Sequence, residues 1–135
     1  GIRSHLHNRI AETYPRTFPR PDRDLRFTQY PTGNTVDPRA YEAALADFDP
    51  GDVAVIFTPD NTHFAIARAC LTRGLHVLVT KPAVKTLEEH RVLEALAREK
   101  GVICAVEVHK RWDPVYADAR DRAQALGPMS FYTSY

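Results

Sequence analysis

Residues 52–106 read DVAVIFTPDNTHFAIARACLTRGLHVLVTKPAVKTLEEHRVLEALAREKGVICAV, and the order of apolar runs in this stretch decides the fold. Val53-Ala54-Val55-Ile56-Phe57 is a continuous apolar run of strand length. A run without polar alternation predicts a strand buried on both faces of a parallel sheet. Asn61 can open a helix that continues through Arg73, with Gly74 as its left-handed stop. Leu75-His76-Val77-Leu78-Val79 supplies a second buried strand. Thr86 and Glu89 make the T-x-x-E capping box of a helix that turns Leu93, Leu96 and Ala97 inward and stops at Gly101. Val102 to Val106 is the third strand. Strand, helix, strand, helix, strand is two successive βαβ units, whose crossovers are right-handed in nearly all folds. The expectation is an α/β chain holding half of a doubly wound parallel sheet.

Upstream, Asp37 can cap a helix with Pro38 in its first position and Tyr41, Leu45 and Phe48 on one face, ended by Pro50 and Gly51. Further back, Leu6, Ile10 and Tyr14 have helical spacing, and Pro15, Pro19 and Pro21 then forbid regular structure. Leu25, Phe27 and Gln29 suggest a short strand, followed by a turn through Pro31, Gly33 and Asn34. Downstream, Asp113 and Pro114 begin a helix that ends near Gly127, and Phe131 to Tyr135 reads as a strand. Residue 1 is Gly, and the last strand stops without a turn, so both ends read as cut. Neither an internal repeat nor a low-complexity tract interrupts the chain.

A chain of 135 residues, 44% hydrophobic and 26% charged, has ordinary globular composition and the length of one domain. The net charge of +1 creates no field that would attract nucleic acid or an anionic membrane. The apolar runs are too short to span a bilayer and no signal sequence opens the chain, so the default expectation is cytoplasmic. Cys70 and Cys104 make no disulfide framework, and each fits a small buried thiol. With His63, His76 and His109 they approach no compact zinc spacing, so no metal site is expected. His76, inside an apolar strand, reads as a satisfied core or sheet-edge histidine. Trp112, Tyr116 and the terminal aromatics are expected to pack at the start of a second layer.

In an open α/β sheet, ligands collect outside the carboxyl ends of the strands. Three segments follow those ends: Thr58-Pro59-Asp60-Asn61-Thr62-His63, Thr80-Lys81-Pro82, and Glu107 to Pro114. All are rich in donors and charge although the strands feeding them are apolar, as a polar crevice on a dry scaffold requires. Lys81, fixed between a strand and a proline, could orient a substrate hydroxyl or stabilise alkoxide charge during hydride transfer, or be a solvated surface lysine. Thr58-Pro59-Asp60 could border a ligand or simply turn into the helix. His63, in the first turn of that helix, could donate to a ligand or lie at the surface. No G-x-G-x-x-G occurs, although a dinucleotide fold seats its pyrophosphate there. Truncation is the simplest account, with the glycine loop just before Gly1.

From Asp52 to Pro114 these residues resemble the glucose-fructose oxidoreductase and inositol dehydrogenase family, Gfo/Idh/MocA. DVAVIFTPDNTHFAIARACLTRGLHVLVTKPAVKTLEEHRVLEALAREKGV is similar to the family's fourth strand, T-P-x-x-x-H helix start, G-x-H-V strand and E-K-P turn, in order. VEVHKRWDP resembles the last Rossmann strand and the R-x-x-P entry to the substrate domain. The resemblance implies an incomplete Rossmann-like domain over residues 1–110 and the start of a truncated α+β substrate domain over 111–135. It implies NAD or NADP as cofactor and reversible oxidation of a sugar or polyol hydroxyl. By position, Thr58, Pro59, Asn61 and His63 would border the cofactor, Lys81 and Pro82 would be the lysine-proline pair near nicotinamide and substrate, and Arg111 would lie near either ligand. Thr80 departs from the pattern, standing where the family usually carries a glutamate that contacts ribose. The family's catalytic histidine lies further along, so the chain alone should be inactive, and any homo-oligomer would form through the domain that follows.

Three expectations result. The first is an NAD(P)-dependent carbohydrate dehydrogenase. The second, motivated by Thr80, is a dinucleotide sensor or regulatory protein that kept the fold without turnover. The third is a gene fragment unable to fold for want of its first strand.

Overall fold

The computed structural model describes residues 13, 14, 16, 17, 28–32 and 36–128. The expected helix over Ser4–Tyr14, the strand at Leu25–Gln29 and the terminal strand at Phe131–Tyr135 lie wholly or largely outside the described residues. Among those described, the elements are α1 (Ala40–Ala44), β1 (Val53–Ile56), α2 (Asp60–Thr72), β2 (His76–Thr80), α3 (Leu87–Lys100), β3 (Cys104–Glu107) and α4 (Pro114–Ala125). The strands form one parallel sheet in the order β1-β2-β3, so the two βαβ units stand as expected.

Local chemistry sets the helix ends. Thr86 accepts from the Glu89 backbone N–H at 3.1 Å, and the Glu89 carboxylate accepts from the N–H of Thr86 and of Lys85, which completes the capping box. Gly101 then closes α3 at φ +66°. Gly74 ends α2 at φ +79°, and its carbonyl accepts from Gly51 N–H at 2.8 Å, which ties the entries of β1 and β2 together. Asp113 caps α4 by accepting from Val115 N–H, with Pro114 in the first turn. The helix after β1 opens at Asp60, one residue before the expected Asn61, and no side chain caps it.

The core lies between the sheet and the two crossover helices. Ile56, Val77 and Val79 from the strands meet Ala67, Cys70 and Leu71 of α2 and Leu93 and Ala97 of α3, with Leu45 and Leu75 completing the cluster. Tyr41 and Phe48 pack against it from α1 and its 3-10 extension, as their spacing predicts. Burial alternates along β1 and β2, which corrects the expectation of strands covered on both faces. Val53 and Val55 are 59% and 55% exposed, whereas Ile56 is 3% exposed. Two successive crossovers of the same hand, travelling the same way across the sheet, put both helices on one face. Among the described residues, no helix covers the other face. Trp112 and Tyr116 are 81% and 53% exposed rather than packed in a second layer, and α4 buries none of its residues. His76 Nδ1 accepts from the Ile103 backbone N–H at 3.0 Å, so this histidine is satisfied at the sheet as expected. None of the described helices is long and apolar enough to cross a membrane.

Candidate functional site

Parallel pairing brings the three strand ends to one rim. Ile56 is in register with Val79, and Thr80 with Glu107, so the chain leaves β1, β2 and β3 at the same edge of the sheet. Thr58 and Pro59 leave β1 there, Lys81 and Pro82 leave β2, and a 3-10 turn over His109–Arg111 follows β3. The sequence-predicted site residues therefore occupy one end of the fold, and none is stranded at the other.

His63 joins two of these loops. Its ring is fully buried, with Nδ1 2.7 Å from the carbonyl oxygen of Pro82 and Nε2 2.8 Å from that of Thr58. A carbonyl oxygen only accepts, so the ring donates through whichever nitrogen carries its N–H, and the other nitrogen meets its carbonyl as a close polar contact. The sequence leaves His63 either donating to a ligand or lying at the surface, and here it does neither. His63 stands on the core face of α2, and its ring is drawn under the rim as a brace between the β1 and β2 loops. The Thr62 hydroxyl adds a second fastening, 2.7 Å from both Thr58 Oγ1 and the Pro59 carbonyl.

Above this brace the exposed groups differ in how far they are already engaged. Lys81 and Arg111 are exposed, and neither side chain has an ion-pair partner among the described residues. Lys110, by contrast, is held by Asp113 at 3.3 Å and lies 4.7 Å above the Tyr116 ring. The Val115 N–H and Lys110 together hold the Asp113 carboxyl below its usual range, the backbone N–H contributing most. The Lys81–Pro82 peptide is cis, and the Lys81 backbone N–H donates to the Glu107 carbonyl at 3.2 Å. Pro59 and Asn61 are exposed beside Thr58, where each could meet a ligand edge.

Sequence reasoning passed over Glu107. Its Oε2 accepts from the Thr80 hydroxyl at 3.1 Å, and Oε1 lies 3.4 Å from His109 Nδ1. The usable signal was an acidic residue ending an apolar strand, but its pairing with Thr80 depends on register across β2 and β3. Among the described residues, no group of three or more His, Cys, Asp or Glu side chains could hold a metal ion.

Known proteins resemble the chain in sequence and fold. Residues 23–108 match the family model GFO_IDH_MocA, described as an oxidoreductase family with an NAD-binding Rossmann fold. The NAD(+)-dependent scyllo-inositol 2-dehydrogenase of Bacillus subtilis is 37% identical over 90 residues, which is 64% of this chain and 26% of that protein. The NADP(+)-dependent scyllo-inositol 2-dehydrogenase IolW of the same organism is 38% identical over 66 residues, 48% of this chain and 18% of that protein. Among solved structures, UDP-N-acetylglucosamine 3-dehydrogenase GnnA from Acidithiobacillus ferrooxidans superposes with a TM-score of 0.52 at 33% identity, over 61% of this chain and 26% of that one. The chain spans about a quarter of the length of the first-ranked curated relatives.

Proposed function

The chain belongs to the GFO_IDH_MocA family of NAD-binding oxidoreductases, and from that premise we propose that the protein carrying it is an NAD(P)-dependent oxidoreductase of a sugar or polyol CH–OH group. Residues 1–110 are then its partial dinucleotide domain and 111–135 the entry to its substrate domain. The absence of buried residues in α4 supports that division, since a helix belonging to the first domain would bury a face against it. A cytoplasmic location is part of the same reading.

One observation carries the proposal: Thr58, Lys81 and Arg111 leave successive parallel strands at one rim, and two of their loops are braced from below by a buried histidine. The donor set fits a dinucleotide. Two cations without ion-pair partners among the described residues suit phosphate or alkoxide charge, while the Thr58 hydroxyl and Asn61 amide suit polar ring and sugar edges. A bound dinucleotide would supply the acceptor for the hydride that the carbinol carbon loses on oxidation. The ammonium of Lys81 would orient the substrate hydroxyl and stabilise negative charge on that oxygen while a base of the following substrate domain takes up its proton. Thr58, Pro59, Asn61 and Pro82 border the cofactor, and Arg111 approaches it or the substrate from the β3 side. His63 supports two of these loops from inside. Relatives that use NAD(+) and NADP(+) are about equally similar to the chain, so the reading covers both cofactors.

The test uses the full-length protein and the one tryptophan of this chain, Trp112, directly beside Arg111. Reduced cofactor should quench Trp112 emission and raise the melting temperature, and a polyol panel should generate reduced nicotinamide absorbance. Absence of both quenching and a thermal shift would end the reading. Tight binding without turnover on any polyol would favour the non-catalytic sensor that Thr80 suggests.

A further inference from the structure

Thr80 and Glu107 are direct register partners at the last paired positions of β2 and β3. By strand alternation, both side chains leave on the sheet face opposite α2 and α3. The Glu107 side chain is 22% exposed, its carboxylate touched by the Thr80 hydroxyl at one oxygen and by His109 at the other. Two carboxylate oxygens offer about four acceptor positions, so roughly two remain for a ligand. A half-buried carboxylate with spare acceptor capacity matches a ligand that donates from two neighbouring hydroxyls. The Lys81 N–H is bonded to the backbone carbonyl of this same glutamate, whose register partner Thr80 directly precedes the proposed catalytic lysine.

We propose that Glu107 is the diol-recognition residue of this rim, and that it binds the paired hydroxyls of a ribose of the nicotinamide dinucleotide. The inference rests on the cofactor reading above and deepens it. The Thr80 hydroxyl holds the Glu107 side chain in place, and a glutamate at both positions would set two like charges side by side. The same chemistry could recognise a vicinal diol of a polyol substrate, and the experiment separates the two sources.

The full-length protein and three variants, Glu107→Gln, Thr80→Glu and the double variant Thr80→Glu/Glu107→Gln, are titrated with NAD(+) and NADP(+) in the absence of polyol, with Trp112 emission as readout. Losing a charge-assisted hydrogen bond should weaken dinucleotide binding of Glu107→Gln by about tenfold, with its melting temperature little changed. Thr80→Glu alone should also weaken binding through carboxylate repulsion. The double variant, with its carboxylate moved across one strand, should return to within about threefold of the original. Unchanged dinucleotide affinity of Glu107→Gln with a raised KM for polyol would assign the diol to the substrate and overturn the ribose assignment. Unchanged affinity and unchanged KM would overturn the diol site altogether. If the unaltered protein binds neither dinucleotide, the cofactor reading fails first, and that outcome is distinguishable from the other two.

Discussion

Nδ1 of His63 lies 2.7 Å from the carbonyl oxygen of Pro82, nineteen residues further along the chain. This one contact, with its mirror at Thr58, converts two separate strand-end loops into a single support. Replacing His63 by alanine takes the imidazole away from two carbonyl oxygens in a dry interior and opens a cavity. The cost should be about 2–4 kcal/mol, read as a lower midpoint in urea unfolding. Because Lys81 precedes Pro82, the same variant should weaken dinucleotide binding more than an equally destabilising change at Leu93, a core residue of α3 outside the rim loops. Equal effects at the two positions would reduce His63 to ordinary core packing.

The uneven burial of β1 gives a sharper contrast between neighbours. Ile56→Ala removes a side chain from the packed face and should cost about 2–5 kcal/mol in the 135-residue chain. Val55→Ala, one residue earlier and on the uncovered face, should cost less than about 1 kcal/mol. Chemical denaturation of both variants decides it. Comparable losses would mean that something covers Val55 as well.

That contrast also marks how far the sequence could be read. Thr86, Glu89, Gly101, Asp113 and Pro114 take their expected places because capping and left-handed stops depend on residues within one turn. The parallel order of β1, β2 and β3 was legible from the alternation of apolar runs with helices. Which face of Val53–Ile56 is buried was not, since a continuous apolar run carries no phase. Burial there depends on where α2 and α3 land. For the same reason, the common rim of Thr58, Lys81 and Arg111 could be anticipated from topology, whereas the brace at His63 and the Thr80–Glu107 pair could not. Both need side chains brought together over nineteen and twenty-seven residues of chain.

The α3 capping box is separable from the site and tests local stability alone. Thr86→Ala removes the acceptor for the Glu89 N–H and should cost about 1 kcal/mol. Glu89→Ala also deprives the Lys85 and Thr86 N–H groups of their acceptor. The two losses should be less than additive, because each residue's contribution needs the other in place. Thermal unfolding of the double variant measures the coupling, and strict additivity would contradict a reciprocal box.

Cys70 should be inert in the folded chain. Burial on the core face of α2 pushes its thiol up from an ordinary value near 9 to about 11, because the thiolate would lose its hydration. The folded state therefore keeps its proton where the unfolded state releases it. This contribution to stability is complete below about pH 9 and is lost as the pH rises through 11. Burial likewise raises the Cys104 thiol. Alkylation followed by mass spectrometry at about pH 8, just below the ordinary thiol value, should leave Cys70 unmodified until denaturant is added. Rapid modification in native buffer would mean that α2 opens locally far more often than its packing suggests.

Lys81 offers the most direct test of the proposed chemistry, because its peptide unit is fixed while its ammonium has no ion-pair partner among the described residues. If that ammonium orients the reacting hydroxyl and stabilises charge on its oxygen, Lys81→Met in the full-length protein should lower kcat by about a hundredfold or more. Dinucleotide affinity in the absence of polyol should change far less, since the interaction belongs to the transition state. Lys81→Arg keeps the charge but replaces a compact ammonium by a wider planar group, and should recover little of the lost rate. A variant that loses cofactor binding while kcat persists at saturation would move Lys81 from the reacting oxygen to the dinucleotide. A variant indistinguishable from the original in both would return it to the solvated surface.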